Sequence, residues 1–437
     1  MLRALLLSFL IALFASSASA QAADPALLAD INQMPAVDNH AHVPKLTSPG
    51  EKDDEFDALP CDTLEPSGAP AMTAPDNPQF LAAWKALWKY PYNDASPAHV
   101  KELLATKERI RREQGDNYPA WVLDQLHIQT MLANRIAMGR GLDNPRFRWV
   151  PYDDALLFPL ENTGMADTPD RKFFFSREDA LLKRYLAAVA QKGVPLTLDQ
   201  YVSQVVRPTL EKQKQGGAVA IKFEAAYLRA LDFGPATEQV AASIYQLYSM
   251  GGAPPRDDYK KVQDYLFRVV AAEAGRLGMA VHIHTGGGCG GYFQLAGANP
   301  LQLESALDDP ALRKTTFVLI HGGWPFTREM GFLLLKPNVY TDLSEQTWLL
   351  SPHEMAGNVR QWLEMAPDKV MFGTDLFPGT PENDWEEIGW VTAHTAREAL
   401  ARALTGMIDD GEITRARAEE LARQVLSGTA TKLYGLH

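Results

Sequence analysis

Two histidines one residue apart, His40 and His42, close the stretch Val37-Asp38-Asn39-His40-Ala41-His42-Val43. In an extended strand residues i and i+2 share a face, so these imidazoles project side by side. That is how two neutral nitrogen donors meet one divalent cation. Alone, the pair reads equally well as two polar residues in a turn. Recurrence separates the two readings. Val281-His282-Ile283-His284-Thr285-Gly286, Phe317-Val318-Leu319-Ile320-His321-Gly322-Gly323 and Val370-Met371-Phe372-Gly373-Thr374-Asp375 each set a residue of metal-ligand type where an apolar run gives way to a loop. Such a set suits activation of water and polarisation of a carbonyl by a bound ion.

Donors at the C-terminal ends of successive strands need a parallel α/β frame, and the layout is that of a metal-dependent (β/α)8 barrel. Residues 126–132 and 147–152 read as the second and third strands, and Gly217-Ala218-Val219-Ala220-Ile221-Lys222-Phe223-Glu224 as one ending in a lysine. Val339-Tyr340-Thr341-Asp342-Leu343-Ser344 reads as the seventh. Helical periodicity is expected over residues 25–34, 173–191, 198–215, 257–277, 300–313, 352–365, 385–407 and 414–426. Strands alternating with helices in this way indicate a parallel sheet. A doubly wound sheet is the alternative, but it has no reason to place metal-type residues at four strand ends.

A single barrel takes roughly 250 residues. The surplus falls in a long excursion after strand one, residues 44–97, rich in Pro, Gly and Asp, and in the terminal helices. We therefore expect one domain over residues 21–437. A long loop after a barrel strand is usually a lid or a pocket wall. Inside it, Trp84 and Trp88 lie on a helical stretch and read as a staple packing the insertion onto the barrel. His99 and His127 sit in helical surroundings and read as surface or packing histidines.

The composition, 46% hydrophobic and 22% charged, is that of an ordinary globular enzyme. A formal charge of −12 from 54 acidic and 42 basic residues argues against nucleic acid or an anionic membrane as partner. The expected partner is a small-molecule substrate, and the sequence admits a homo-oligomer. Residues 1–20 read as a signal peptide: a charge at Arg3, an apolar run, and Ala18-Ser19-Ala20 as a small-x-small cleavage site before Gln21. No later stretch is long and apolar enough to span a membrane. The expectation is a secreted or periplasmic chain. Only Cys61 and Cys289 occur. Export permits a disulfide, but pairing needs a short Cα separation, and we expect two free thiols.

Taken in order, the motifs Asn39-His40-Ala41-His42, Ile221-Lys222 with Ala226-Tyr227, His284-Thr285-Gly286, Leu319-Ile320-His321-Gly322, Asn338-Val339-Tyr340-Thr341-Asp342-Leu343-Ser344 and Phe372-Gly373-Thr374-Asp375 resemble the amidohydrolase superfamily of metal-dependent hydrolases. The match is to its amidohydrolase-related branch, which includes the nodulin-like domain fused to glutamine synthetase in some proteins. The tail from Leu426 to Gly435 also resembles that branch, with Thr429 where an Asn is usual. The likeness runs from about Asp38 to the C-terminus and leaves residues 44–97 uncovered.

The resemblance implies that His40, His42, His284 and Asp375 hold a divalent metal, zinc by ligand type. Asp375 takes the proton from the attacking water, and His321 orients or protonates the polarised substrate oxygen. The chemistry is consistent: zinc in such a ligand set brings the pKa of bound water to about 7. Lys222 has two readings. Carboxylated, it bridges two ions, with His321 serving the second; as a plain amine it stands beside the substrate of a one-metal enzyme, the arrangement we expect. Tyr227 and Arg229 are candidate receivers of a substrate carboxylate, although Arg229 pairing locally is as good a reading. His282 faces the same way as His284 but deeper, as a packing or supporting residue. The implied activity is hydrolysis of a C–N or C–O bond in an amide, ester or lactone. Non-oxidative decarboxylation is the first alternative. A catalytically silent barrel used as a binding module is the second, and the intact ligand set argues against it.

Overall fold

The computed structural model describes residues 22–436, apart from 49, 62, 63, 66, 67 and 69. The expected signal peptide, residues 1–20, lies outside the described residues.

Eight parallel strands run in sequence order: β1 (Ala36–Ala41), β2 (Ile128–Asn134), β3 (Phe147–Val150), β4 (Ala220–Phe223), β5 (Ala280–His284), β6 (Phe317–Ile320), β7 (Val339–Asp342) and β8 (Val370–Met371). Most are short runs of Val, Ile, Leu, Phe and Ala with both faces buried, as strands sheathed by helices must be. β3 joins β4 through the bridges Trp149–Ala218 and Tyr152–Lys222. The first strand meets the last through Asn39 N–H to the Phe372 carbonyl (3.0 Å), Asp375 N–H to that of His40 (2.8 Å) and His42 N–H to that of Leu376 (2.8 Å). These bonds complete the ring of a (β/α)8 barrel. Its main core lies between the outward strand residues and the helices, and a smaller cluster that includes Val37, Leu132, Val150, Val318 and Met371 fills the barrel.

The helices start where the sequence supplies caps. Asp24, Thr168, Ser351 and Thr414 each accept a backbone N–H in the first turn of the helix that follows. Pro352–Met365 matches its expected bounds. Residues 300–313 do not form one helix. They break into Pro300–Leu303, Glu304–Leu307 and Pro310–Leu312, because Asp309 caps a new turn and Pro310 lacks the N–H and the room to continue the old one.

The excursion after β1 returns as the helix Pro78–Trp88, which packs on the long C-terminal helix Trp385–Asp409. Trp84 Nε1 donates to Asn383 Oδ1 (3.0 Å), and Trp88 Nε1 to Glu387 Oε1 (2.5 Å). Both indoles thus tie the insertion to the barrel. Its earlier part is pinned by Arg135, which reaches Asp53 at 2.7 and 2.9 Å, and by Arg177 on the Ala58 carbonyl at 2.7 Å. The two cysteines are joined: Cys61 of the excursion and Cys289 of the loop after β5 lie 5.9 Å apart at Cα and form a disulfide. This corrects the expectation of free thiols. The folded chain supplies the short separation that a distance of 228 positions in the sequence conceals.

Candidate metal centre

At the C-terminal rim β1 is irregular, with a register shift against β2 between Asp38 and Ala41. His40 and His42 emerge there with ring centroids 5.0 Å apart. Their Nε2 atoms approach one oxygen, Asp375 Oδ1, at 3.1 and 3.3 Å. Around a tetrahedral ion with bonds of about 2.1 Å, neighbouring donors stand roughly 3.4 Å apart, so this spacing is that of a ligand set. Among the described residues His40 Nδ1 has no partner. His42 Nδ1 meets the Tyr152 hydroxyl at 3.1 Å and Asp57 Oδ2 at 3.5 Å, which fixes the ring with Nε2 toward Asp375.

Electrostatics favours a cation here. Burial, reinforced by Lys222, drives the His40 pKa down to about 3, so the imidazole is neutral with a free lone pair. Burial alone would raise Asp375, but His321, His40 and His42 outweigh it and hold the carboxyl well below its usual range. Burial would lower His42, but Asp57 and Asp375 outweigh it and raise its pKa, so this imidazole too sits where a positive charge is favoured. A neutral imidazole, a second imidazole that a cation would deprotonate and an ionised carboxylate fit a divalent metal.

His284 and His321 stand beside this cluster. His321 Nε2 meets His284 Nδ1 at 3.0 Å, and His284 Nε2 meets the Gly287 carbonyl at 2.6 Å. His284 donates through Nε2–H to Gly287, so its Nδ1 keeps a lone pair, and the donors that converge on one point are those of His40, His42 and Asp375. A line of hydrogen bonds holds His321. Asn39 Nδ2 donates to Asp342 Oδ2 (2.7 Å), Ser344 Oγ to Asp342 Oδ1 (2.6 Å), and His321 Nδ1 lies 2.9 Å from Ser344 Oγ. Because the serine hydrogen goes to Asp342, its oxygen accepts from His321 Nδ1–H, which leaves Nε2 unprotonated and 3.0 Å from the lone pair of His284 Nδ1, an arrangement that suits a cation beside the two rings. His321, Asp375 and Glu345 all have left-handed backbones, at φ +74°, +54° and +59°. Each such residue stores about 1–3 kcal/mol of strain, a cost typical of functional sites.

Lys222 ends β4 fully buried, with Nζ 3.5 Å from His40 Nε2 and 3.9 Å from Glu224 Oε1. His42, Asp57 and Glu224 form a second group of converging donors. Tyr227 lines the cavity with its ring 4.7 Å from that of His284. Arg229 does not: it turns away to Gln263 Oε1 (2.9 Å) and Asp264 Oδ1 (2.8 Å) and lies over the Phe233 ring. Its assignment to a substrate carboxylate is therefore corrected. His282 lies below, 2.7 Å from the Tyr434 hydroxyl. His99 stacks on Tyr92 at 3.5 Å, away from the site. His127 stands in a turn at φ +53° rather than in a helix.

The cavity over these groups holds about 490 Å³. Residues the sequence did not single out help to build it. Asp57 comes from the excursion, Glu345 follows β7, and Trp348 donates Nε1 to Asp375 Oδ2 at 3.3 Å. Burial pushes Glu224 and Glu345 well above the usual carboxyl range.

A barrel with imidazole and carboxylate donors gathered at its C-terminal rim is the frame of the metal-dependent hydrolases and their kin. Residues 166–436 match the family model described as amidohydrolase. The chain belongs to this family. Among curated proteins it is similar to protein fluG of Emericella nidulans, with 28% identity over 233 residues, 50% of this chain and 26% of fluG. It thus spans about a quarter of that relative's length. Among solved structures it is similar to a Lactobacillus casei protein described as a metal-dependent hydrolase, at 17% identity and a TM-score of 0.58 over 95% of this chain and 98% of that one. It is also similar to uronate isomerase of Thermotoga maritima, at 13% identity and a TM-score of 0.57 over 94% and 96%. At these identities the likeness is one of fold. Family membership supports an enzyme, and the converging donors support a divalent metal as its cofactor. Among the described residues no helix is long and apolar enough to cross a membrane.

Proposed function

We propose that the chain is an exported hydrolase, secreted or periplasmic, that uses one divalent ion, zinc by ligand type, to cleave a C–N or C–O bond in a small amide, ester or lactone. The observation that carries this reading is the convergence of His40 Nε2, His42 Nε2 and Asp375 Oδ1 on one point of the cavity. His284, one imidazole away, is the fourth ligand in this reading. When bound, the ion supplies Lewis acidity to the scissile carbonyl and acidity to water.

The chain's own groups then have defined tasks. Asp375, kept ionised among imidazoles and steadied by Trp348, accepts the proton of the attacking water at its carboxylate. His321, held through Nδ1–H by Ser344 and Asp342, presents an unprotonated Nε2 that takes the proton on from Asp375 and delivers it to the departing group. Lys222 remains an amine beside the substrate, and Tyr227 walls the cavity. The test is turnover by purified, metal-loaded protein of a panel of dipeptides, aminoacyl esters and lactones, with aromatic acids and glucuronate as the contrasting members. We expect hydrolysis that a chelator abolishes and zinc restores. Release of carbon dioxide from the aromatic acids, or isomerisation of glucuronate, with no hydrolysis would replace this reading.

A further inference from the structure

Among the described residues the cavity wall carries no lysine or arginine, and it carries four carboxylates, those of Asp57, Glu224, Glu345 and Asp375. Two of them already face the metal cluster. Asp375 serves His40 and His42, and Asp57 faces His42. Glu224 also stands in the donor group of His42 and Asp57, and its Oε1 lies 3.9 Å from Lys222 Nζ, whereas Glu345 belongs to neither donor group. Glu224 and Glu345 are only 3% and 4% exposed, and in each the Oε2 atom has no hydrogen-bond partner among the described residues. An acid sequestered in this way is costly unless something cationic meets it.

The backbone keeps room for that something. Glu345 is held by its left-handed conformation against Gly287, where a Cβ would stand 3.0 Å from Glu345 Oε1. A glycine at this point leaves the space in front of the carboxylate open. The Tyr227 hydroxyl lies in the field of Glu345, Glu224, Asp57 and Asp375 together. Phe56, Trp348 and Phe377 complete an aromatic wall, and aromatic faces attract organic cations.

Glu224 and Glu345 are buried acids whose ionised forms a cation placed before them would stabilise. The one arginine that sequence offered for an anion is bound to Asp264 instead.

We propose that this cavity takes a substrate with a protonated amine beside an apolar or aromatic portion, the ammonium being received by Glu345 and Glu224. The inference rests on the reading of the cavity as the substrate site of a metal-dependent hydrolase, and it narrows the substrates to amine-bearing, apolar amides and esters.

Calorimetric titration of the metal-loaded full chain with two unreactive probes of one shape, 2-phenylethylammonium and 2-phenylethanol, tests it. The ammonium should bind at least about tenfold more tightly, a difference of about 1.4 kcal/mol. In Glu345→Gln and in Glu224→Gln that advantage should largely vanish while 2-phenylethanol binds as before. Thermal unfolding of both variants identifies one that fails to fold, and the ranking in the unaltered chain is decisive in any case. Equal binding of the two probes overturns the proposal. So does an ammonium advantage that survives both substitutions, which would mean the amine ligates the metal. A second equivalent of divalent ion that Glu224→Gln removes would also overturn it, since the carboxylates would then be metal ligands. The titrations need no turnover. An ammonium preference without hydrolysis refutes the hydrolase reading alone, and hydrolysis without the preference refutes this inference alone.

Discussion

The barrel contains two His-x-His segments at strand ends, and it uses them differently. On β1 both histidines reach one carboxylate oxygen, at 3.1 and 3.3 Å. On β5 only His284 comes to the cavity, while His282 meets Tyr434 at 2.7 Å on a lower layer. The difference lies in the backbone. β5 keeps its register with β6 through His284, so its two histidines stay a full layer apart. β1 loses register against β2 after Asp38, and His42 leaves the strand to bond the Leu376 carbonyl. The irregularity brings two residues of one face to the same height. A shared face permits joint coordination; a departure from regular pleat achieves it.

The largest expected effect tests the β1 pair. His40→Ala with His42→Ala should strip the bound metal and drop activity to background, as read by elemental analysis and turnover of the same preparation. Retained metal would move the centre elsewhere. His282→Ala should behave oppositely. Metal content should match the unaltered chain, while chemical denaturation should show a loss of about 1–3 kcal/mol, because a buried hydrogen bond and its packing disappear. Metal loss in this variant would mean that the two segments act as one unit.

The smallest effect extends the comparison to carboxylates. Asp375 is buried among imidazoles and stays ionised, whereas Asp153 is buried and, among the described residues, accepts a side-chain hydrogen bond from Gln213 alone, at 2.7 Å. Burial raises the Asp153 pKa to about 8. Below about pH 4 the group is protonated in both folded and unfolded chains. Between there and about pH 8 the unfolded chain releases its proton and the folded chain keeps it. Folding therefore takes up a proton, and stability falls as pH rises through that window. Asp153→Asn, a neutral isostere, should flatten this part of the profile. Its Tm should gain on that of the unaltered chain step by step from pH 5 to pH 8. A constant difference would place the titration on another group.

What the sequence discloses follows from the range of the interactions concerned. Phe317 to Ile320 and Val281 to His284 are legible because an apolar run ending at a histidine is a local pattern, and successive strand ends converge in any parallel barrel. Arg229 is not legible, since its partner Asp264 lies 35 positions on, on the helix Arg256–Arg276. Asp57 sits in the acidic run Asp53-Asp54-Glu55-Phe56-Asp57, where no local feature marks it from its neighbours. Long-range anchors, Arg135 on Asp53 and Arg177 on the Asp57 and Ala58 carbonyls, hold that run against the cavity. Glu345 had a usable signal. It follows Asp342-Leu343-Ser344 directly, and the residues just past a barrel strand form the rim. The break at Pro310 was equally open to view, because a proline cannot continue a preceding turn.

The Cys61–Cys289 bridge encloses strands β2, β3, β4 and β5 within one covalent loop. A protease that cuts anywhere inside this loop, including the exposed turns around Gly193 and Gly251, therefore leaves a single molecule rather than two fragments. Both halves of the metal centre, His40 and His42 on one side of the loop and His321 and Asp375 on the other, stay tethered through such damage. Separation of the fragments then requires a reductant as well as an unfolding step. Wherever the chain meets proteases, a bond formed at the mouth of its cavity gives it tolerance to nicking.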